Sequence, residues 1–385
     1  MDAAAPIGLE KAGQICRDKS LRARQLRKEG RKILGYMCAF PPLEFLTALD
    51  TVPHRIMGNV QEPITKADAY LEPIACPFVR SCLDEALNQR YDFLDGTLFP
   101  HSCDNVLLVS SIWNYYLKPE FYYFLDVPHM VQESSFEYFK DQLRLLIEHL
   151  EDFSGKKMTD SALRDAIRLH NRIRALFREL YHLRREPAPR VSGTEILQTA
   201  IAAQVLPAEE QTGLIGEVLS QVKARGKKAY EKKPRLMVCG CEMDSPEFIG
   251  LIEEAGADVV MDDLCTGAKL FWNDVEDTDD PLDGIARRYL GGLTCPRTYR
   301  ARTGTHQEDL ANRFGYLRDY AESFNLDGVV IYVIRYCDTY EFDLPDMRDY
   351  LRGLGLPVLP IENDYTLSGI DGLRTRIQAF VEMIA

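Results

Sequence analysis

The pattern of apolar and polar positions alternates between short apolar runs and amphipathic stretches. Residues 35–40 form an apolar run that ends at two prolines, and residues 43–50 carry apolar side chains at helical spacing. Because helical patterns separate most of the apolar runs, the sequence predicts parallel strands joined by helices. The later runs, each typical of a buried strand, lie at 51–58, 94–103, 121–129, 235–241, 257–265, 328–337 and 356–363.

The predicted strands fall into two sets, separated by a long segment without a strand pattern. Residues 9–34 are strongly charged and indicate an exposed helical lead-in, whereas the middle segment has apolar residues at three- and four-residue spacing. The sequence therefore predicts an α/β fold with two parallel-sheet domains, of the flavodoxin or Rossmann kind, that face each other across a cleft. The predicted parts are a helical lead-in (1–34), a first α/β domain (35–133), a helical section (134–232) and a second α/β domain (233–385).

The two strand-rich regions share a sequence pattern. LDGTLFPHSCD at 94–104 and LDGVVIYVIRYCD at 326–338 both run from Leu-Asp-Gly through an apolar strand to Cys-Asp. Ligands of parallel α/β sheets bind beyond the carboxyl ends of the strands. Two domains that face each other would therefore bring Cys103 and Cys337 together.

Charge and hydropathy exclude several functional classes. The chain has 46 basic and 59 acidic residues, a net charge of −13, and such an acidic surface repels nucleic-acid phosphates and anionic lipid. No apolar run is long enough to span a membrane, and residues 1–10 lack the basic and apolar pattern of a secretory signal. We expect a cytoplasmic protein without nucleic-acid or membrane partners.

Ten cysteines in such a chain call for an explanation. No CxxC pair occurs, which argues against zinc ribbons and thioredoxin-like sites, and most of the cysteines are expected to be small buried apolar residues. Thiolates scattered over loops suit an iron–sulfur cubane with one iron open to another ligand. Cys76, directly before a predicted helix, fits a third ligand beside Cys103 and Cys337, because helix N-termini stabilise thiolates. The alternative is that Cys76 and Cys337 belong to the core and Cys103 is incidental.

Motifs for other chemistries are missing from the sequence. It contains no GxxxxGKS or GxxxxGKT, so we expect no ATP site in this chain, and no GxGxxG follows a strand. HExxH and GxSxG are also missing. Glu44 lies in the first strand-to-helix turn, where functional groups are common, although a first-turn acid can simply complement the helix dipole.

Seven sequence blocks resemble the benzoyl-CoA reductase / 2-hydroxyacyl-CoA dehydratase family. They occur in order from about residue 34 to the C-terminus, and together they are most similar to the smaller active-site subunit of ATP-dependent benzoyl-CoA reductases. The blocks are GYMCAFPPLEFLTALDTVPHRIMG, ACPFVRSCLDEAL, LDGTLFPHSCDN, IEEAGADVVMDDLCTG, DPLDGIARRYL, RYCD and PVLPIENDYTLSGIDGLRTRIQAFVEM.

The resemblance implies a 4Fe–4S cluster held by Cys76, Cys103 and Cys337. It further implies a paralogous active-site subunit, ATP-hydrolysing activator subunits with a bridging 4Fe–4S cluster, and ferredoxin as the electron donor to the complex. The implied reaction is the two-electron reduction of benzoyl-CoA to a cyclohexadiene carboxyl-CoA. Glu44 and His54 are the candidate catalytic residues that would supply protons, although a lone histidine on a strand is more often a core residue.

Two alternatives stay open at the level of sequence. The first is a subunit of a radical 2-hydroxyacyl-CoA dehydratase, which would remove water from its acyl-CoA substrate. The second is an electron-relay or scaffold subunit with a double-cubane 8Fe–9S cluster. In that case Cys38, Cys239 and Cys265, which also lie near strand ends, would be further cluster ligands.

Overall fold

The structure, a computed structural model, describes residues 7–226, 231–302 and 304–385. Within these ranges the strands are β1 (Ile33–Tyr36), β2 (Val52–Arg55), β3 (Gly96–Pro100), β4 (Phe121–Leu125), β5 (Arg235–Gly240), β6 (Asp258–Asp263), β7 (Gly328–Ile334) and β8 (Val358–Asn363). The helices are α1 (Gly8–Arg17), α2 (Leu21–Lys28), α3 (Leu43–Ala48), α4 (Pro77–Leu87), α5 (Asp104–Leu117), α6 (Glu133–Ser154), α7 (Asp160–His182), α8 (Gly193–Ala203), α9 (Ala208–Ala224), α10 (Glu247–Glu254), α11 (Ala268–Phe271), α12 (Pro281–Ala286), α13 (His306–Phe324), α14 (Asp338–Gly353) and α15 (Ile370–Ile384).

The strands form two four-stranded sheets in which every neighbouring pair is parallel. The first sheet has the order β2-β1-β3-β4, and the second has the order β6-β5-β7-β8. Each sheet therefore repeats the strand order 2-1-3-4 that is typical of flavodoxin-like folds, in which the connections change direction between the first and third strands. The predicted α/β class with two parallel sheets is confirmed.

Helices α6 to α9 occupy the predicted helical section and connect the two sheets. Helix α7 is the central element, because it packs against α3 beside the first sheet and against α9 and α11 on the other side. Helix α1 of the lead-in packs against α8 and α9. Residues 1–6 of the predicted lead-in and 227–230 of the predicted helical section lie outside the described residues. Within the described ranges, no helix is both long enough and apolar enough to cross a membrane.

Two element boundaries differ from the prediction near the candidate cysteines. Strand β1 ends at Tyr36, earlier than the apolar run to residue 40 predicted, because Cys38 takes a positive φ of 64° that no strand residue adopts. Strand β7 likewise ends at Ile334, earlier than the apolar run to residue 337 predicted, and α14 begins at Asp338, directly after Cys337. Both shifts place a cysteine in the turn that follows a strand.

Candidate metal centre

Three helix N-termini carry the three cysteines that the sequence predicted as cluster ligands. Cys76 immediately precedes α4, Cys103 precedes α5 and Cys337 precedes α14. Backbone N–H groups in the first helical turns lower the pKa of these thiols: those of Phe78 and Val79 act on Cys76, those of Asn105 and Val106 on Cys103, and that of Tyr340 on Cys337. Free N–H groups and the positive end of the helix dipole stabilise negative charge, so each position favours a thiolate or an anionic group.

The two sheets direct these cysteines towards one another. Cys103 follows the end of β3 and Cys337 follows the end of β7, so both lie beyond the carboxyl edge of their sheet. In each sheet this is the edge where the strand connections change direction, which is where ligands bind in open α/β sheets. The prediction that the two strand ends converge is confirmed by one shared cavity, which both cysteines line.

This cysteine cavity has a volume of about 70 Å³, and its lining is mostly apolar apart from the sulfur atoms. Cys76 also lines it, so the structure brings together all three cysteines predicted as ligands. Four further cysteines contribute to the same lining: Cys38, Cys241, Cys265 and Cys295.

The seven thiols divide into two neighbouring groups. Burial raises the pKa of Cys76, and the nearby thiols of Cys337 and Cys103 raise it further. Burial likewise raises the pKa of Cys295 to about 12, and the charge of Cys38 acts in the same direction. We call Cys76, Cys103, Cys241 and Cys337 the first group, and Cys38, Cys265 and Cys295 the second. The two groups adjoin, because Cys38 also raises the pKa of Cys103 and Cys265 that of Cys241.

Cys337 differs from the other thiols of the cavity. The nearby Cys241 thiol, the Thr339 hydroxyl 3.6 Å away and the Tyr340 backbone N–H lower the pKa of Cys337 against the opposing effect of burial. Burial raises the pKa of Cys103 to about 12, although hydrogen bonds from the first turn of α5 oppose this effect. Thiols that are protonated at neutral pH lose their protons when they bind a metal.

The structure places Cys239, another possible extra ligand, within β5 rather than at its end. Its side chain is fully buried beside Asp263 and Lys269, which are themselves joined by a buried ion pair. Cys241, which the sequence analysis did not select, is the first residue beyond β5 and lines the cavity in its place. The predicted run 235–241 ends at Cys241, so the rule that selected Cys103 and Cys337 applied to Cys241 as well. Cys295 lies in a loop, and no strand-end signal identifies it.

The donor set suits an iron–sulfur cluster better than a single ion. Among the described residues, no group of three or more His, Cys, Asp or Glu side chains is arranged to hold one metal ion. In a cubane each cysteine binds a different iron, so its ligands surround the cluster instead of meeting at one point. Soft sulfur donors, apolar walls and amide groups that face the sulfurs match the surroundings that such clusters require. Cys76, Cys103 and Cys337 therefore fit this group.

Glu44 is fully buried in an ion pair rather than exposed to a substrate. Arg174 Nη2 donates to Glu44 Oε1 at 2.5 Å, and the Tyr289 hydroxyl donates to Oε2 at 2.8 Å. Burial alone would raise the pKa of Glu44, but the charges of Arg174, His170 and Arg288 outweigh it and lower the pKa to about 2. These contacts hold an ionised carboxylate, and they do not favour the predicted role of Glu44 as a proton donor.

His54 lies on β2 inside an aromatic cluster. Its ring centroid is 4.8 Å from that of Phe93 and 6.1 Å from that of Tyr91, and its Nδ1 has no hydrogen-bond partner among the described residues. Burial lowers the pKa of His54 to about 3, helped by the positive charges of Lys19 and Arg24. The residue borders a different cavity, of about 860 Å³, so the contacts favour a neutral packing role over the predicted catalytic one.

A charged residue that the sequence analysis did not select also lines the cysteine cavity. Glu242, next to Cys241, accepts hydrogen bonds from Arg55 at the end of β2. Burial raises the pKa of Glu242, and the charge of Arg55 opposes this rise. The sequence offered no signal for this pair, because its members are 187 residues apart.

A wider cavity of about 480 Å³ adjoins the cysteine cavity, since Ser102, Cys103 and Thr339 line both. Its other walls carry four arginines, Arg297, Arg300, Arg302 and Arg313, among several aspartates. Arg313 forms an ion pair with Asp343, whereas the exposed side chain of Arg302 lies 4.0 Å from Asp309. The wider cavity therefore opens at the edge of the cysteine cavity and carries side chains of both charges.

Comparison with known proteins extends over nearly the whole chain. The family model described as 2-hydroxyglutaryl-CoA dehydratase, D-component, matches residues 38–384. The chain is 26% identical over 364 residues to the (R)-phenyllactyl-CoA dehydratase beta subunit of Clostridium sporogenes, covering 94% of both chains. It is 27% identical over 367 residues to a benzoyl-CoA reductase subunit of Thauera aromatica, again covering 94% of both chains.

Proposed function

Because the chain belongs to the 2-hydroxyglutaryl-CoA dehydratase D-component family, we propose that it is an iron–sulfur subunit of an enzyme that acts on an acyl-CoA thioester. More specifically, we propose that the enzyme is an ATP-dependent benzoyl-CoA reductase. The observation that carries it is the meeting of Cys76, Cys103 and Cys337, each at a helix N-terminus, in one buried cavity between two parallel sheets.

These three cysteines would hold one 4Fe–4S cluster. Such a cluster supplies single electrons at low potential, which the reduction of an aromatic thioester requires. The chain's own residues supply the surroundings: the first turns of α4, α5 and α14 offer N–H groups to the sulfurs. Met37, Phe78, Val79 and Ile334 line the cavity with apolar atoms, which keep water from a strongly reducing centre.

The arginine-lined cavity supports a thioester of coenzyme A as the substrate of the complex. Arg300 and Arg302 stand at its wall, and guanidinium groups pair well with phosphates. Since this cavity shares Cys103 with the cysteine cavity, an acyl group that entered it would approach the proposed cluster.

The proposed partners follow from what the chain lacks in sequence and from its family. It has no Walker-type ATP motif, so separate ATP-hydrolysing activator subunits with a bridging 4Fe–4S cluster would deliver the electrons, with ferredoxin as their source. A paralogous subunit would complete the active site. The relatives from Clostridium sporogenes and Thauera aromatica are themselves subunits, which is consistent with a protein that works in a complex.

The alternative within the same family is a 2-hydroxyacyl-CoA dehydratase subunit. The two activities differ in electron use, because ring reduction consumes two electrons for each product molecule whereas dehydration recycles one. The test uses the anaerobic complex with its activator, ATP, a measured amount of reductant, and either benzoyl-CoA or a 2-hydroxyacyl-CoA. Product formation proportional to the reductant supports the reductase, and many turnovers per electron support the dehydratase.

The second thiol group supports the alternative of a double-cubane cluster. Cys38, Cys265 and Cys295 line the same cavity as the first group, so six or more sulfurs surround one space. This set differs from the sequence-based one, in which Cys239 stood in place of Cys295. An iron content of about eight per chain would favour an 8Fe–9S relay protein, and about four favours the single cubane that we propose.

A further inference from the structure

A second internal cavity lies next to the cysteine cavity, and we call it the inner cavity. It has a volume of about 40 Å³, and Cys38 lines both cavities. Its walls come from the turn after β1, from α3, α7 and α11, and from a π-helical turn at Arg287–Gly291. The buried side chains of Tyr36, Gln204 and Arg288 complete the lining.

Each of these three side chains has a polar atom whose hydrogen bond is not made. Among the described residues, the Tyr36 hydroxyl, Gln204 Oε1 and Arg288 Nη1 are buried and have no hydrogen-bond partner. Buried polar atoms almost always have partners, and three unpaired ones around a single cavity indicate that something binds there. One water molecule needs about 10–15 Å³ of such space, so the cavity has room for about two or three particles of that size.

Arg288 brings an uncompensated positive charge to the inner cavity. Its Nε and Nη2 donate hydrogen bonds to the backbone carbonyls of Asn273 and Leu270 at 3.1 and 2.6 Å. In the part of the chain that the structure describes, no carboxylate forms an ion pair with it. Burial lowers the pKa of Arg288 to about 10, which still leaves the guanidinium charged at neutral pH. A buried charge without a counter-charge is strongly destabilising, so this side chain calls for an anion.

The two carboxylates whose charge acts on this guanidinium are already bound elsewhere. Glu44 accepts a hydrogen bond from Arg174 at one oxygen and from the Tyr289 hydroxyl at the other. Asp274 forms an ion pair with Arg178. Neither carboxylate therefore has an oxygen left over to neutralise the guanidinium at the inner cavity.

The remaining polar groups of the wall are donors or neutral. Burial raises the pKa of Tyr36 to about 12, so its hydroxyl keeps its proton and can donate. His170 shares a hydrogen bond with Thr47, and burial lowers its pKa to about 4, so the ring is neutral. The π-helical turn that carries Arg288 is itself a rare geometry, which is frequent at functional positions.

We propose that the inner cavity binds one small monovalent anion of the size of chloride, held by the Arg288 guanidinium and the Tyr36 hydroxyl. A water molecule beside the anion would donate to Gln204 Oε1. The cavity is too small for a nucleotide or for coenzyme A. This site goes beyond the proposed function and needs no cluster, although its position next to Cys38 places the anion beside the second thiol group.

The first test is crystallographic and uses the full chain with its partner subunit. Crystals soaked in sodium bromide should show an anomalous peak between Arg288 and Tyr36. The second test is thermal unfolding in sodium chloride or sodium gluconate at equal ionic strength. Chloride should raise the unfolding midpoint progressively with its concentration, because it binds the folded chain. Tyr36→Phe, which keeps the ring and removes one donor, should weaken chloride binding severalfold, and Arg288→Met should abolish it.

The matched control is Arg184→Met, which removes a buried guanidinium that lies 3.8 Å from Asp262 and does not line the inner cavity. This variant should be less stable than the wild type but keep the chloride dependence. If Arg288→Met does not fold, Tyr36→Phe decides the outcome. A bromide peak without any chloride effect in solution would mean an adventitious ion only and would overturn the proposal. Water alone in the cavity, or a chloride effect that Tyr36→Phe leaves unchanged, would overturn it as well.

Discussion

Arg55 and Glu242 form a buried ion pair that joins the two sheets at the wall of the cysteine cavity. Arg55 Nη2 donates to the two carboxylate oxygens of Glu242 at 2.6 and 2.9 Å. Arg55 ends β2 of the first sheet, and Glu242 follows β5 of the second. Within the described part of the chain, Nε and Nη1 of Arg55 have no hydrogen-bond partner, so Glu242 is the main group that compensates its charge.

We predict that Arg55→Met destabilises the protein by about 3–5 kcal/mol, because it leaves the Glu242 carboxylate buried without its counter-charge. The measurement is the free energy of unfolding in denaturant, taken without oxygen. The matched control is the double variant Arg55→Met, Glu242→Leu, which removes both charges and should recover much of the loss. A double variant at least as unstable as the single one would show that the charge pair is not what matters.

Glu44 makes stability depend on pH in the acid range. Its pKa in the folded chain is about 2, below its ordinary value of 4.5, so folding favours the ionised carboxylate. The resulting stabilisation, about 3 kcal/mol, is fully present above pH 4.5 and is lost as the pH falls towards 2. Denaturant unfolding of the wild type and of Glu44→Gln, compared between pH 6 and 3, measures it, and the difference between the two proteins should shrink with acidification.

Glu44→Gln also tests the catalytic role that the sequence suggested. The variant leaves Arg174 buried without a carboxylate, so we expect a loss of about 3–5 kcal/mol in stability. Iron content should stay at the wild-type value, because neither Glu44 nor Arg174 lines the cysteine cavity. If turnover falls severalfold while stability is unchanged, Glu44 acts in catalysis, and the conclusion that its ion pair with Arg174 only stabilises the fold is wrong.

His54 should make the protein less stable as the pH falls below 6.5. The ring is neutral in the folded chain because burial lowers its pKa to about 3, whereas in the unfolded chain it takes up a proton near pH 6.5. This difference amounts to about 2 kcal/mol of lost stability between pH 6.5 and 5. Replacement by phenylalanine, His54→Phe, suits the neighbouring rings of Phe93 and Tyr91 and should remove that part of the pH dependence.

Unfolding free energies of the wild type and of His54→Phe, measured at both pH values, check this prediction. Lys19 and Arg24 contribute less than burial to the lowered pKa of His54, so the folded ring stays neutral in this pH range and high salt should leave the effect in the wild type largely unchanged. An equal pH slope in the two proteins would mean that His54 already carries a proton in the folded chain, and its candidacy as a proton donor would be restored.

The local pattern of the sequence was enough to predict the parallel sheets and the meeting of Cys103 with Cys337. Both conclusions rest on local signals, namely apolar runs that end in Cys-Asp and the rule that ligands lie beyond strand ends. The ion pair of Glu44 with Arg174 could not be predicted, because it joins residues 130 positions apart. Cys241 was missed for a different reason: Cys239 and Cys241 lie two residues apart in one predicted run, and the local pattern does not distinguish them.

The most direct test of the central claim is the iron and acid-labile sulfide content of the full chain, purified without oxygen with its partner subunit. We predict about four irons and four sulfides per chain, with most of both lost in each of Cys76→Ala, Cys103→Ala and Cys337→Ala. Cys239→Ala serves as the control and should keep the wild-type content. A folded wild-type chain without iron, or three variants that all keep their iron, would contradict the account.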